Sequence, residues 1–286
     1  MCAKIAFPGY TMLHNPQSRP KCHSARADMQ APTHWERSSM ALPAFISHIY
    51  PELAFGGFSR LDCTIPFLSR AQALASGSTV VLEIGCGRGQ GNEDGSDYRR
   101  SLRDFRVAGR RVIGIDVDPV AETNPWIDDF RMIGSDFKWP VESGTVDFAF
   151  SDYTLEHVGD PAAYFAELCR VLKSGGVFLA RTPNRYSYIA IIAQLIPNAL
   201  HARVLRRTQL GRKEEDVFPT VYRANTARAL RRFLGQAGFN TVIYSVEGEP
   251  WYMQFSSVIF RIMNVVHRLL PGFMRSTLIV MARKTG

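Results

Sequence analysis

An α/β fold, a seven-stranded mostly parallel sheet with helices on both faces and a helical cap, is predicted by three observations. Short apolar runs of strand length recur along the chain, several end at an acid beside glycine, and amphipathic stretches of helical spacing lie between them. The first run, Val80-Val81-Leu82-Glu83-Ile84, passes straight into Gly85-Cys86-Gly87-Arg88-Gly89. Glycines at alternate positions remove side chains where a ligand must lie against the main chain, and they permit the positive φ of a strand-to-loop turn.

The remaining elements follow in order. Apolar residues recur at helical spacing over 41–50 and 61–75, separated by Phe55-Gly56-Gly57-Phe58, so two helices precede the first strand. After the glycine loop, a polar turn at 91–95 leads to a helix from Tyr98 to Val107. Val112-Ile113-Gly114-Ile115-Asp116 is the second strand, Met132-Ile133-Gly134-Ser135-Asp136-Phe137 the end of a third, and Val146-Asp147-Phe148-Ala149-Phe150-Ser151-Asp152 a fourth. Leu155-Glu156-His157-Val158 opens an amphipathic stretch through Leu172, and Lys173-Ser174-Gly175-Gly176 precedes a fifth strand at Val177 to Ala180.

Beyond it, Tyr186 to Leu195 forms an apolar helix stopped by Pro197. Five cations then follow (Arg203, Arg206, Arg207, Arg212, Lys213), and directly after them Glu214, Glu215 and Asp216. This stretch is either a self-satisfied surface loop or a cap whose arginines hold an anionic group. Asn225 or Thr226 caps a helix that stops at Gly238, and 239–246 and 278–283 are the sixth and seventh strands. Between those strands Phe255, Ile259, Ile262, Val266 and Leu269 share one helical face, with Arg261, Asn264 and Arg268 on another. Such a helix packs its apolar face on the sheet, or lies in a membrane surface; its polar residues keep it from spanning one.

A dinucleotide fingerprint requires G-x-G-x-x-G, but Gln90 stands where the third glycine belongs, which disfavours a nicotinamide oxidoreductase. The pattern Glu83-Ile84-Gly85-Cys86-Gly87-Arg88-Gly89 instead resembles motif I of the class I S-adenosylmethionine-dependent methyltransferases, and the order of elements resembles the broad methyltransferase type 11 group. The resemblance implies a Rossmann-like sheet, with S-adenosyl-L-methionine as cofactor. It places the loop of Glu83, Gly85, Cys86, Gly87 and Gly89 beneath the amino-acid part of that cofactor. Asp116, followed by Val117, becomes the ribose ligand, since an ionised carboxylate accepts from both hydroxyls. Asp136 reads the adenine amino group and the backbone at Phe137 meets the ring, while Ser151 and Asp152, at the fourth strand end, complete the cofactor-binding set with Val117. Leading helices cover the pocket in such proteins, so Phe58, Arg60 and Asp62 either face the site or pack and cap.

Methyl transfer is an in-line displacement that needs alignment and, for some acceptors, a base. His157 is the candidate base of the motif region; alternatively Glu156 and His157 only order the strand-helix junction. The segment also resembles quinone-pathway O-methyltransferases with a Glu-x-x-Glu-His metal site, but Tyr153 replaces the first acid, so no metal is expected. Ser151-Asp152-Tyr153-Thr154 stands where methyltransferases of DNA bases or protein amides carry Asn/Asp-Pro-Pro-aromatic, which argues against a nucleic-acid substrate.

Composition bounds the rest. The chain has 286 residues, 46% of them hydrophobic, enough for one large α/β domain. The expected division is a tail at 1–39, with Met40 an alternative start, then one methyltransferase domain at 40–286. Its core is 77–183, its cap insertion 184–224, and its C-terminal strands and helix 225–286. The tail lacks periodicity and is rich in Pro, Ser, His and Gln, without the unbroken apolar core of a secretory signal. Cysteines at 2, 22, 63, 86 and 169 have neither zinc-site nor disulfide spacing, in keeping with a cytoplasmic protein, peripheral at most to the inner membrane face. The formal net charge is +8. It leaves a soluble basic surface or attraction to anionic lipid, phosphate or nucleic acid. The expectation is a methyltransferase acting on a small-molecule acceptor, hydrophobic or lipid-linked; the alternatives are a protein of this fold that binds the cofactor without turnover and, less favoured by the motifs, a nucleic-acid methyltransferase.

Overall fold

The computed structural model describes residues 43–89, 94–106, 109–195 and 220–286, with no side-chain description for 192–195. Strands β1 (Val80–Ile84), β2 (Arg111–Asp116), β3 (Asp129–Met132), β4 (Val146–Asp152), β5 (Leu172–Pro183), β6 (Phe239–Val246) and β7 (Thr277–Lys284) form one sheet in the order β3-β2-β1-β4-β5-β7-β6. The first five pair in parallel, whereas β7 runs antiparallel to both β5 and β6. The chain order reverses between β1 and β4. In open α/β sheets a ligand crevice forms at that switch, beyond the carboxyl ends of the strands.

Strand alternation builds two cores, one on each side. Leu82, Ile113, Ala149 and Phe178 face α4 (Pro161–Val171) and α6 (Ala227–Gln236), meeting Phe165, Leu168, Leu230 and Leu234. Their chain neighbours Val81, Val112, Phe148 and Leu179 face α2 (Thr64–Leu74), meeting Phe67, Leu68 and Ala71. A strand buried on both faces reads as a continuous apolar run rather than an alternating one, which is why β1, β2 and β4 were legible.

Caps set the helix starts. The Asp160 carboxylate accepts from the Ala162 and Ala163 N–H groups at the head of α4, and the Thr226 hydroxyl from Ala229 N–H at the head of α6. Shorter helices α1 (Ala44–Ile49), α3 (Asp97–Arg103) and α5 (Tyr188–Leu195) complete the described set with α7 (Ser257–Leu269). The predicted arginine cluster at 203–213, the 1–39 tail and Gln90 lie outside the described residues.

α7 departs from the first of its two predicted arrangements, the one with its apolar face on the sheet. Phe260, Asn264 and His267 face inward; Phe255, Ile259, Ile262, Val266 and Leu269, expected on the sheet, are exposed. The reason is polar. Tyr50 donates to Asn264 Oδ1, and His267 meets the Gly248 carbonyl through Nδ1 at 2.8 Å and the Tyr188 hydroxyl through Nε2 at 2.6 Å. Phe260 completes a small core with Ile46 and Tyr50. These directional bonds fix a rotation that apolar periodicity alone predicts the other way.

Candidate active site

The C-terminal ends of β1, β2 and β4 converge on a cavity of about 400 Å³, within the range of small-molecule sites. Its wall includes Glu83, Gly85, Cys86, Gly87 and Gly89 from the loop after β1, Asp116 and Val117 after β2, and Asp152 and His157 after β4. The sequence-predicted residues from three separate strand ends are thus brought together.

The loop is held from outside the cavity. Gly85 has φ +70°, and a Cβ there would lie 2.4 Å from Thr154 Oγ1; at Gly89, with φ +75°, it would lie 2.7 Å from Asn124 Oδ1. Neither position accepts a side chain. Asn124, itself buried, donates through Nδ2 to the Cys86 carbonyl at 2.8 Å and accepts from Trp126 N–H at 2.9 Å. Asp116 ties the loop to β2: Oδ2 accepts from Gly87 N–H at 2.9 Å, and Oδ1 from Asp118 N–H at 3.0 Å.

Charges in the wall are uneven. Burial pushes the Glu83 carboxyl up to about 8, against the pull of Arg103, with the carboxylates of Asp152 and Asp116 adding to the rise. Burial also works to raise Asp152, but Arg181 and Arg103 outweigh it and hold its carboxyl below the usual range. Arg181 grips that carboxylate with two nitrogens, donates to Thr64 Oγ1 at 2.9 Å, and lies between the Phe67 and Tyr153 rings, 4.8 and 4.9 Å from their centres. Tyr153 takes φ 54°, a conformation that costs a non-glycine residue about 1–3 kcal/mol and is retained where the surroundings hold it.

His157 sits in the wall, with its backbone N–H donating to the Thr154 carbonyl at 3.0 Å. Its neighbour Glu156 turns inward, accepting from Thr182 Oγ1 at 3.1 Å, while its carbonyl accepts from Val221 and Tyr222 N–H. Among the described residues no cluster of His, Cys, Asp and Glu has the geometry to hold a metal ion.

Three predicted positions stand outside the cavity wall. Ser151 is fully buried, on the strand face opposite Asp152 by the alternation of β4. Asp136 and Phe137 follow β3 in a turn that satisfies itself: Phe137 N–H donates to the Gly134 carbonyl and Lys138 N–H to Asp136 Oδ1. The Phe137 ring is exposed. Phe58, Arg60 and Asp62 pack and cap instead of lining the site. Phe58 lies against Tyr98, Arg60 pairs with Glu52, and Asp62 caps α2 and binds Arg99.

Sequence reasoning did not reach Arg103, Phe105, Trp126 and Arg181, which also line the cavity. Arg181 falls one residue beyond the predicted fifth strand. Asn124-Pro125 carries a turn signal, but nothing in its spacing points back to the glycine loop.

The wall fits a cofactor of the predicted kind. A Cβ at Gly87 would meet nothing within 4 Å, so the main chain there is open to close approach. Trp126 Nε1 and Arg103 Nε are buried donors with no hydrogen-bond partner among the described residues, the sort of group a ligand satisfies.

Comparison with known proteins decides the family. A family model described as a methyltransferase domain matches residues 58–244. The chain belongs to the class I S-adenosylmethionine-dependent methyltransferases. It is 30% identical over 184 residues to a probable S-adenosylmethionine-dependent methyltransferase of Mycolicibacterium smegmatis, covering 60% of this chain and 66% of that one. A probable S-adenosylmethionine-dependent methyltransferase of Mycobacterium tuberculosis is 28% identical over 113 residues, 38% of this chain and 37% of its own length. A ubiquinone biosynthesis O-methyltransferase of Paraburkholderia xenovorans is 32% identical over 152 residues, 49% of this chain and 64% of its own. The chain thus spans less than two thirds of the length of these relatives.

Proposed function

We propose that this protein transfers a methyl group from S-adenosylmethionine to a small-molecule acceptor of hydrophobic or lipid-linked character. The observation that carries the cofactor half is the convergence of Glu83, the Gly85 to Gly89 loop and Asp116 on one cavity. The bound cofactor supplies a methyl group already activated on a sulfonium. The chain's own part is to bind and orient. Asp116 retains unused acceptor capacity on both oxygens for ribose hydroxyls, and Gly87 offers main chain without a side chain in the way. Glu83 is placed to face a cationic amino group.

Leu68, Phe105 and Phe150 give the cavity an apolar flank. His157, in the same wall, is the group placed to take a proton from an acceptor that must lose one. The acceptor class draws support from the relative named as a ubiquinone biosynthesis O-methyltransferase.

Calorimetry with S-adenosylmethionine and its demethylated product tests the first half. Asp116→Ala should weaken both by about 1–3 kcal/mol, the range for hydrogen bonds to a charged group. Absence of binding by the wild type, with binding of a nicotinamide dinucleotide, would reverse the assignment. Label transferred from methyl-labelled cofactor into a fractionated cell extract tests turnover. Lack of label in every fraction, small-molecule and macromolecular alike, with the cofactor bound, would leave a binding protein of the same fold.

A further inference from the structure

α7 presents an apolar face to the outside that no packing among the described residues explains. Val258, Ile262, Val265 and Leu269 recur at i, i+4, i+7 and i+11, and are 65%, 56%, 57% and 77% exposed. Phe255, Ile259 and Val266 extend the same arc. The rotation is not a loose docking that could roll the face inward. On the opposite side Asn264 is held by Tyr50, and His267 by Tyr188 and the Gly248 carbonyl, while Phe260 packs against Tyr50 and Phe45. A helix anchored by polar bonds on its inner side and apolar on its outer side is arranged for an apolar medium beyond the protein.

Charge points to what that medium is. Arg261 and Arg268 border the arc along one edge, and the helix carries no acidic side chain to oppose them. We propose that α7 docks this protein flat on an anionic lipid surface, its apolar arc sunk at the level of the headgroups and acyl chains and its two arginines among the phosphates. The helix is about 20 Å long, too short to span a bilayer but sufficient to lie in one leaflet. A second copy of the chain fits the same face less well. Two such helices packed antiparallel about a twofold axis set Arg261 and Arg268 of one against those of the other, with no acid on either helix to meet them.

The docking is read without any methyl transfer, so it stands or falls separately from the proposed chemistry. The full chain is floated with vesicles of phosphatidylcholine alone, and of phosphatidylcholine mixed with phosphatidylglycerol. Wild type should rise with the mixed vesicles and far less with the neutral ones. Val258→Glu with Ile262→Glu should abolish flotation. Arg261→Gln with Arg268→Gln should lower the partition coefficient by roughly fivefold for each charge removed, at low salt. All four positions are solvent-facing, so each variant should keep the wild-type thermal midpoint. A fall in that midpoint is countered by using Val265→Glu in place of the pair. Wild type that stays at the bottom with both vesicle types overturns the proposal, as does a Val258→Glu, Ile262→Glu variant that floats like wild type. Sedimentation equilibrium showing a dimer that the glutamates dissociate, without flotation of wild type, overturns it in favour of a second copy.

Discussion

Gly85 and Glu83 show how single residues in one turn of chain divide the work of the site. Gly85 is required twice over, by its φ of +70° and by Thr154, whose hydroxyl stands where a Cβ would go. Gly85→Ala is therefore expected to lower stability by about 1–3 kcal/mol, more than an alanine costs where the conformation suits it. Urea unfolding followed by circular dichroism measures this. Thr154→Ser should recover little of it, since Oγ1 itself is the closest atom.

At Glu83 the expected signature is a pH dependence. Its carboxyl is raised from an ordinary value of 4.5 to about 8, so between those values the folded cofactor-free protein holds a proton that the unfolded chain does not. Stability then falls as pH rises through that interval and levels off above about 8, the opposite of an ordinary salt-bridged carboxylate. Glu83→Gln should flatten this slope in unfolding free energies measured between about pH 5 and pH 9. An equal slope in the variant would assign the effect to another group.

Among elements, α7 is the instructive one. Its rotation is decided by Asn264, which hydrophobic periodicity sets on the polar face, and by His267. Removing the Asn264 side chain leaves the buried Tyr50 hydroxyl without its acceptor, so Asn264→Ala should cost about 1–3 kcal/mol. Tyr50→Phe combined with Asn264→Leu, which removes both partners, should cost less than the sum of the single changes. Thermal denaturation of the four proteins completes the cycle. A strictly additive result would show that the Tyr50 to Asn264 bond does not set the helix orientation.

For the whole molecule, one sheet brings together the strand ends that meet at the cavity, and its two cores are built, among the described residues, by side chains between 67 and 282. The segment 1–39 lies outside the described residues, and its composition predicts that folding and cofactor binding do not depend on it. A chain begun at Met40 should therefore keep both its thermal midpoint and its affinity for S-adenosylmethionine. Loss of affinity with an unchanged midpoint would assign the segment a role over the site.

What the sequence determined by itself was the parallel half of the sheet and the chemistry at its strand ends. Strands buried on both faces must be apolar throughout, and a loop that touches a ligand with its backbone must be glycine, so β1, β2 and β4 and the Gly85 to Gly89 turn are written in composition and spacing. The tertiary structure alone decided what meets across the chain. Arg103 and Trp126 reach the cavity from segments with no motif of their own, and Arg181 is neutralised by Asp152 across adjacent strands. It also left Asp136 and Phe137 in a self-satisfied turn outside the wall and turned the apolar face of α7 outward. Periodicity records which residues share a face. Whether that face points to the core depends on hydrogen-bond partners far apart in sequence, such as Tyr50 and Asn264, and local pattern carries no trace of them.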